Sequence, residues 1–199
     1  MIPGLYYYPC FLSDAEQTQL LENLANQTQW MSVGASENSR KVIHFGSEYK
    51  YRTSVEKANV EPFPDWIQSL KQKLVDLEEI PKELPFDQCI VNQYLPSQGI
   101  SPHIDDPRQF TDFVACFTVG SGGTMVFQKE NEKIELFVKP GSLYIMSGEA
   151  RFEWKHSMVG KKSDVVDGEK RMRGVRTSIT LKCESGINIP SNRRESGIN

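Results

Sequence analysis

The sequence predicts a mainly β protein with flanking helices, an α+β chain whose strands form a sandwich or jelly roll. Three observations carry this. Two amphipathic helical segments lie within the first 80 residues. From residue 87 onward, short runs rich in β-branched and aromatic residues take over. Gly122-Gly123, Asn131 and Pro140-Gly141 punctuate those runs at the regular intervals of an all-β architecture.

The elements follow in order. Ser13-Asp-Ala-Glu16 is a capping box, in which the Ser13 hydroxyl takes an orphan backbone N–H and Glu16 reaches back. It opens a helix over about 14–26 that carries Leu20, Leu21 and Leu24. Trp66, Ile67, Leu70, Leu74 and Leu77 recur at three- and four-residue steps and predict a second helix over about 65–78, between Pro64 and Pro81. The expected strands are 89–94, 113–119, 124–127, 134–138, 142–146 and 175–181. One domain is expected over 1–183, then a flexible tail at 184–199 in which Glu-Ser-Gly-Ile-Asn occurs twice.

Bulk properties exclude several classes. At 199 residues, with 38% hydrophobic and 25% charged content, the chain can bury one ordinary core. No apolar run approaches the roughly 20 residues of a membrane span. The N-terminus lacks a basic region followed by an apolar stretch, so an intracellular protein, cytoplasmic or nuclear and monomeric, is expected. Cys10, Cys89, Cys116 and Cys183 are scattered and read as buried thiols. The net charge of −3 argues against general polyanion affinity. Yet residues 40–57 hold five bases against two acids, and residues 151–182 hold nine against four. Such segments fit either phosphate contacts or a solvated mixed surface.

The chemistry is carried by His103-Ile104-Asp105, with His156 following 51 residues after Asp105. In a strand, His103 and Asp105 would project to one side. Two histidines and a carboxylate form the facial triad of non-haem Fe(II) oxygenases, which leaves coordination positions open. An HxD triplet alone also arises by chance. Two further strands add weight. Asn92 and Tyr94 share one face, as do Arg176, Ser178, Thr180 and Lys182, while Thr177, Ile179 and Leu181 face the other way. A face with two cations and two hydroxyls suits a small dicarboxylate, because Arg forks onto a carboxylate. It equally suits an edge strand wetted on one side.

Four blocks then resemble the AlkB family of Fe(II)/2-oxoglutarate dioxygenases. They are Arg40-Lys-Val-Ile-His-Phe-Gly46; Asn92-Gln-Tyr-Leu-Pro-Ser-Gln-Gly-Ile-Ser-Pro-His-Ile-Asp105; Ser142-Leu-Tyr-Ile-Met-Ser-Gly-Glu-Ala-Arg-Phe-Glu-Trp-Lys-His156; and Arg173-Gly-Val-Arg-Thr-Ser-Ile-Thr-Leu-Lys182. The second and third are similar to the family branch that hydroxylates wobble uridines in tRNA. The resemblance implies a double-stranded β-helix over about 87–183, with two N-terminal helices and a nucleotide-recognition lid at about 39–57. It implies Fe(II) on His103, Asp105 and His156, and O2 as oxidant. The 2-oxoglutarate co-substrate would lie on Asn92, Tyr94, Arg176, Ser178 and Lys182. Lys182 stands where the family usually carries a second arginine, keeping the charge without the fork.

In the lid, Arg40, Lys41, His44, Phe45, Tyr49 and Tyr51 set cations beside aromatics, as a nucleotide-binding surface needs. Arg151 is a further candidate substrate contact. A strand whose aromatics are plain core is the competing reading, above all for Phe45. The resemblance implies oxidative demethylation of N-alkylated bases in DNA or RNA, as in DNA repair or RNA demethylation, with release of succinate, CO2 and formaldehyde. Alternatives are tRNA wobble-uridine hydroxylation, protein demethylation or hydroxylation, and a non-catalytic binding module.

Overall fold

The computed structural model describes residues 1–34, 39–46 and 62–184. The lid positions 47–57, with Tyr49 and Tyr51, and the tail from residue 185 lie outside the described residues. The chain runs β1 (Leu5–Tyr8), α1 (Asp14–Ala25), β2 (Met31–Ser32), β3 (Lys41–Gly46), α2 (Asp65–Val75) and β4 (Gln88–Tyr94). It continues through β5 (Ile100–His103), β6 (Phe110–Gly120), β7 (Gly123–Lys129), β8 (Glu132–Val138), β9 (Leu143–Met146) and α3 (Gly148–Phe152). It closes with β10 (Lys155–Met158), β11 (Ser163–Val166), β12 (Glu169–Met172) and β13 (Arg176–Glu184).

Both N-terminal helices form where their signals lie. The capping box closes α1: Ser13 N–H donates to Glu16 Oε2 at 2.8 Å, and Glu16 N–H donates to Ser13 Oγ at 3.3 Å. The second helix stops at Val75, three residues short of the expected end, and Leu77 and Ile80 follow in turns. Ile67, Leu70 and Leu74 pack with Leu20 and Leu24 into one core cluster.

That cluster lies against a seven-stranded sheet in the order β1-β9-β6-β13-β4-β3-β2. A four-stranded sheet, β5-β10-β7-β8, supplies the second layer. This two-sheet arrangement is the expected jelly roll with helices outside. Strict alternation divides the large sheet. Ala115, Phe117 and Val119 of β6 and Ile179, Leu181 and Cys183 of β13 join the helix-side core. Val114 and Cys116 of β6 turn instead to the second core, with Met125, Phe127, Tyr144 and Trp154.

The structure settles the reading of β13. It pairs with β4 on one side and β6 on the other, so it is an inner strand. Its polar face is enclosed, with Arg176 and Ser178 each 4% exposed and Lys182 5%. The expectation for the cysteines needs one correction: Cys89, Cys116 and Cys183 are buried, but Cys10 is exposed.

The chain backbone is tight where β5 meets β10. A Cβ at Gly99 would lie 2.1 Å from the Met158 carbonyl oxygen, a backbone atom that cannot step aside. Gly99→Ala therefore wedges β5 from β10. We expect a loss of about 1–3 kcal/mol in chemical denaturation, the usual cost of overpacking. An unchanged denaturation midpoint would show that the approach is not required.

Candidate metal centre and its cavity

His103 and His156 are directly opposite each other in the antiparallel β5–β10 pair, which sends both rings to one side. Their centroids are 4.2 Å apart. Asp105 lies two residues beyond the end of β5, so strand alternation does not place it as the sequence suggests. The chain after His103 turns its carboxylate in: Oδ1 is 3.9 Å from His103 Nε2, and Oδ2 is 4.0 Å from His156 Nε2. One ligand atom from each residue falls within 4.8 Å of the others. His103 Nδ1 is 2.8 Å from the Ser101 carbonyl, which fixes the proton on Nδ1 and frees the Nε2 lone pair for a metal.

The electrostatics hold the ligands in binding form. Burial would raise the Asp105 carboxyl, but the Lys182 ammonium bonded to it outweighs burial and keeps it below the usual carboxylate range. Lys182 Nζ is 2.7 Å from Asp105 Oδ1 and lies over the Phe110 ring. Burial pushes His156 down to about 3 and His44 to about 4, so both are neutral near pH 7. Metal ligands must be deprotonated to bind, and Asp105 and His156 already are.

The triad opens into a cavity of about 350 Å³ shared with Asn92, Tyr94, Arg176, Ser178 and Lys182. The five residues expected at the co-substrate thus line one cavity with the triad. Arg176 carries the fit. It donates through one terminal nitrogen to Thr118 Oγ1 at 3.1 Å and lies 5.6 Å from the Tyr94 ring centre. Its buried Nε has no partner, and no carboxylate among the described residues pairs with it. A buried guanidinium without an acid is costly unless a ligand brings one. The distal carboxylate of 2-oxoglutarate fits that need. Arg40 also lines the cavity, and its Nε donates to Asn92 Oδ1 at 3.0 Å. With its oxygen accepting from Arg40, the Asn92 amide keeps its N–H groups for another acceptor.

The other expected substrate contacts separate. Phe45 is 2% exposed and stands edge-on to Trp66 at 5.6 Å in the helix-side core. Alternation along β3 assigns it there with Ile43. His44 takes the opposite, cavity-side face, half-buried, and Lys41 is exposed at the strand start. Arg151 is corrected outright. It is 1% exposed and commits its guanidinium to three backbone carbonyls, those of Asp105 (2.9 Å), Thr111 (3.2 Å) and Phe110 (3.3 Å). It braces the loop that carries Asp105 against α3, just ahead of His156.

Sequence reasoning missed Tyr144 and Cys116, which line the same cavity. Tyr144 sits in the wholly apolar run Leu143–Met146, where no polarity alternation marks an inner face. Burial raises the Tyr94 and Tyr144 phenols, so both remain hydrogen-bond donors.

The profile of the 2OG-Fe(II) oxygenase superfamily matches residues 4–182, and the chain belongs to that superfamily. It is therefore a dioxygenase that uses Fe(II), 2-oxoglutarate and O2, and the non-catalytic reading falls. Within the superfamily it is AlkB-like. The uncharacterized protein L905 of Acanthamoeba polyphaga mimivirus is 30% identical over 179 residues, covering 86% of this chain and 80% of that protein. The tRNA (carboxymethyluridine(34)-5-O)-methyltransferase alkbh8 of Xenopus tropicalis is 34% identical over 171 residues. That match covers 82% of this chain but 26% of the Xenopus protein, so the chain spans about a quarter of its length. Among solved structures, OsALKBH1 aligns with a TM-score of 0.62 over 92% of this chain and 99% of that one. At 17% identity this is a likeness of fold. No helix among the described residues is long and apolar enough to cross a membrane.

Two outcomes follow. Arg151→Lys replaces three separately placed nitrogens by one, which loses the fork that reaches the three carbonyls. We expect Mn(II) or Co(II) affinity, measured by calorimetry, to fall about 10-fold or more, the usual cost of removing an outer support. Unchanged affinity would refute the bracing role. The second concerns pH. His44 and His156 have folded values below the unfolded value of about 6.5, so the unfolded chain binds more protons below that pH. Stability of the metal-free protein is complete above about pH 6.5 and declines as pH falls toward 3. A melting temperature that stays level from pH 7 to pH 4 would contradict this.

Proposed function

We propose that the chain oxidises a C–H bond in an alkyl substituent of a nucleic-acid base, with a modified wobble uridine of tRNA as its leading substrate. Arg176 carries the reaction half of this reading: a buried, acid-free guanidinium shares a cavity with the His103, Asp105, His156 triad. The substrate half is supported by the 34% identity to a tRNA carboxymethyluridine(34) enzyme. A tRNA substrate also implies an intracellular site of action.

Fe(II) bound by the triad supplies, with 2-oxoglutarate and O2, the oxidising power that replaces a C–H by a C–OH and leaves succinate and CO2. The chain's residues position the reactants. Arg176, Tyr94 and Asn92 would hold the co-substrate, with Arg176 answering its distal carboxylate. Lys182 and Arg151 hold Asp105 in place, one at its carboxylate and one at its carbonyl. Arg40, at the same cavity, approaches the base or its phosphate. If the oxidised carbon is a side-chain carbon, the hydroxyl stays. If it is an N-methyl group, the product breaks down to formaldehyde, which is demethylation.

One experiment divides these outcomes. The Fe(II)-loaded protein is incubated with 2-oxoglutarate and either carboxymethyluridine-bearing tRNA or N-methylated DNA and RNA oligonucleotides. Nucleoside mass spectrometry reads a gained oxygen atom, and a formaldehyde assay reads demethylation. We expect oxygen gain at the wobble uridine, abolished by His103→Ala. In Arg176→Met the KM for 2-oxoglutarate should rise at least about tenfold, from loss of a buried charge pair. Succinate release without change to any nucleic acid would reject the substrate while leaving the reaction class intact.

A further inference from the structure

We infer that a second, basic cleft beside the start of β13 binds backbone phosphates of the nucleic-acid substrate, away from the reacting base. This rests on the nucleic-acid reading above. The cleft encloses about 630 Å³, and its lining includes Lys139, Arg171, Arg173, Asp164 and Phe137. Val175 and Gly120 also border it, and they adjoin Arg176 in sequence and in register respectively. It therefore backs onto the co-substrate end of the large sheet.

One wall is the β11–β12 hairpin, a separate two-stranded sheet. Such a hairpin has little stability alone. Here it is tied down by a buried ion pair: Arg173 donates to Asp164 through Nε at 2.6 Å and a terminal nitrogen at 2.8 Å. Arg173 also donates to the Val159 carbonyl at 2.8 Å, and Lys161 approaches Asp164 at 3.0 Å. Removing one partner of a buried ion pair is strongly destabilising, so this pair holds the hairpin in place. The conformation fixed here places Arg171 opposite Asp164 in register, on the face toward the body, and over the Phe137 ring at 5.7 Å.

The charge in the cleft is not balanced from within. Asp164 is the one acid among the described lining residues, and Arg173 and Lys161 already hold it. Lys139 and Arg171 form no ion pair with any described acid. Glu135, on the same side of β8 as Phe137, is held by Lys133 at 2.6 Å. Glu169 shares the Arg171 face but sits at the turn. Lys139 and Arg171 are exposed, so a phosphate can reach both. A guanidinium lying on an aromatic face keeps its N–H edge for a phosphate, and Lys139 adds a point charge. Such contacts set register on a nucleic acid and carry no base preference.

The test uses the full chain, fluorescently labelled tRNA and fluorescence polarisation over a salt series. Lys139→Gln, Arg171→Gln and the double variant are compared with Lys170→Gln, a control on the opposite, exposed face of the hairpin. We expect the double variant to bind several-fold more weakly at low salt. The slope of log affinity against log salt should drop by roughly 0.9 for each phosphate that is no longer neutralised. The control should match the parent, and succinate formation without nucleic acid should be the same in all four variants. If the double variant keeps the parent's affinity and slope, the cleft is overturned while the function proposed above stands. The cleft is also overturned if Lys170→Gln weakens binding equally, because the effect is then general charge. A parent protein that binds no tRNA or oligonucleotide at any salt overturns the nucleic-acid reading itself.

Discussion

Everything in this molecule depends on a single inner strand having two unlike faces. β13 sends Ile179, Leu181 and Cys183 into the helix-side core and Arg176, Ser178 and Lys182 into the cavity. The apolar side pins the strand in register, because a slip by one residue would drive two cations into the hydrocarbon layer. That same register sets Arg176 against Tyr94 and Ser178 against Asn92. Core packing therefore fixes the position of the co-substrate residues without a separate device for the purpose.

Much of this is legible in the residues because its signals are local and periodic. The Ser13 capping box and the leucine spacing of α1 and α2 need no tertiary context. The polar and apolar alternation of 176–182 is equally plain. Whether its polar side faces water or a cavity is not, because an edge strand and an inner strand around a polar pocket share one pattern. Only pairing on both sides distinguishes them, and pairing is a long-range property. The AlkB-like motifs resolve that ambiguity ahead of the geometry, by tying Asn92, Tyr94 and Arg176 to the HxD triplet.

Arg151 and Phe45 each sit close in sequence to cavity residues, yet nearness along the chain does not carry either into the cavity lining. Arg151 is turned toward the carbonyls of the loop after Asp105, which have no sequence signature of their own. Phe45 follows the alternation of β3 into the core, and His44 beside it takes the cavity side. The β11–β12 hairpin is equally hidden, since its anchor is an ion pair between residues nine apart whose burial depends on the sheet beneath. In each case the decisive partner is backbone, or is brought near by another strand.

The isolation of Arg176 reaches beyond catalysis. A folded molecule without its co-substrate encloses a positive charge that no described acid answers, and this lowers the free-energy gap to the unfolded chain. A dicarboxylate that binds only the folded form widens that gap in proportion to the logarithm of its concentration. The folded form would then resist unfolding better with the keto acid bound than without it.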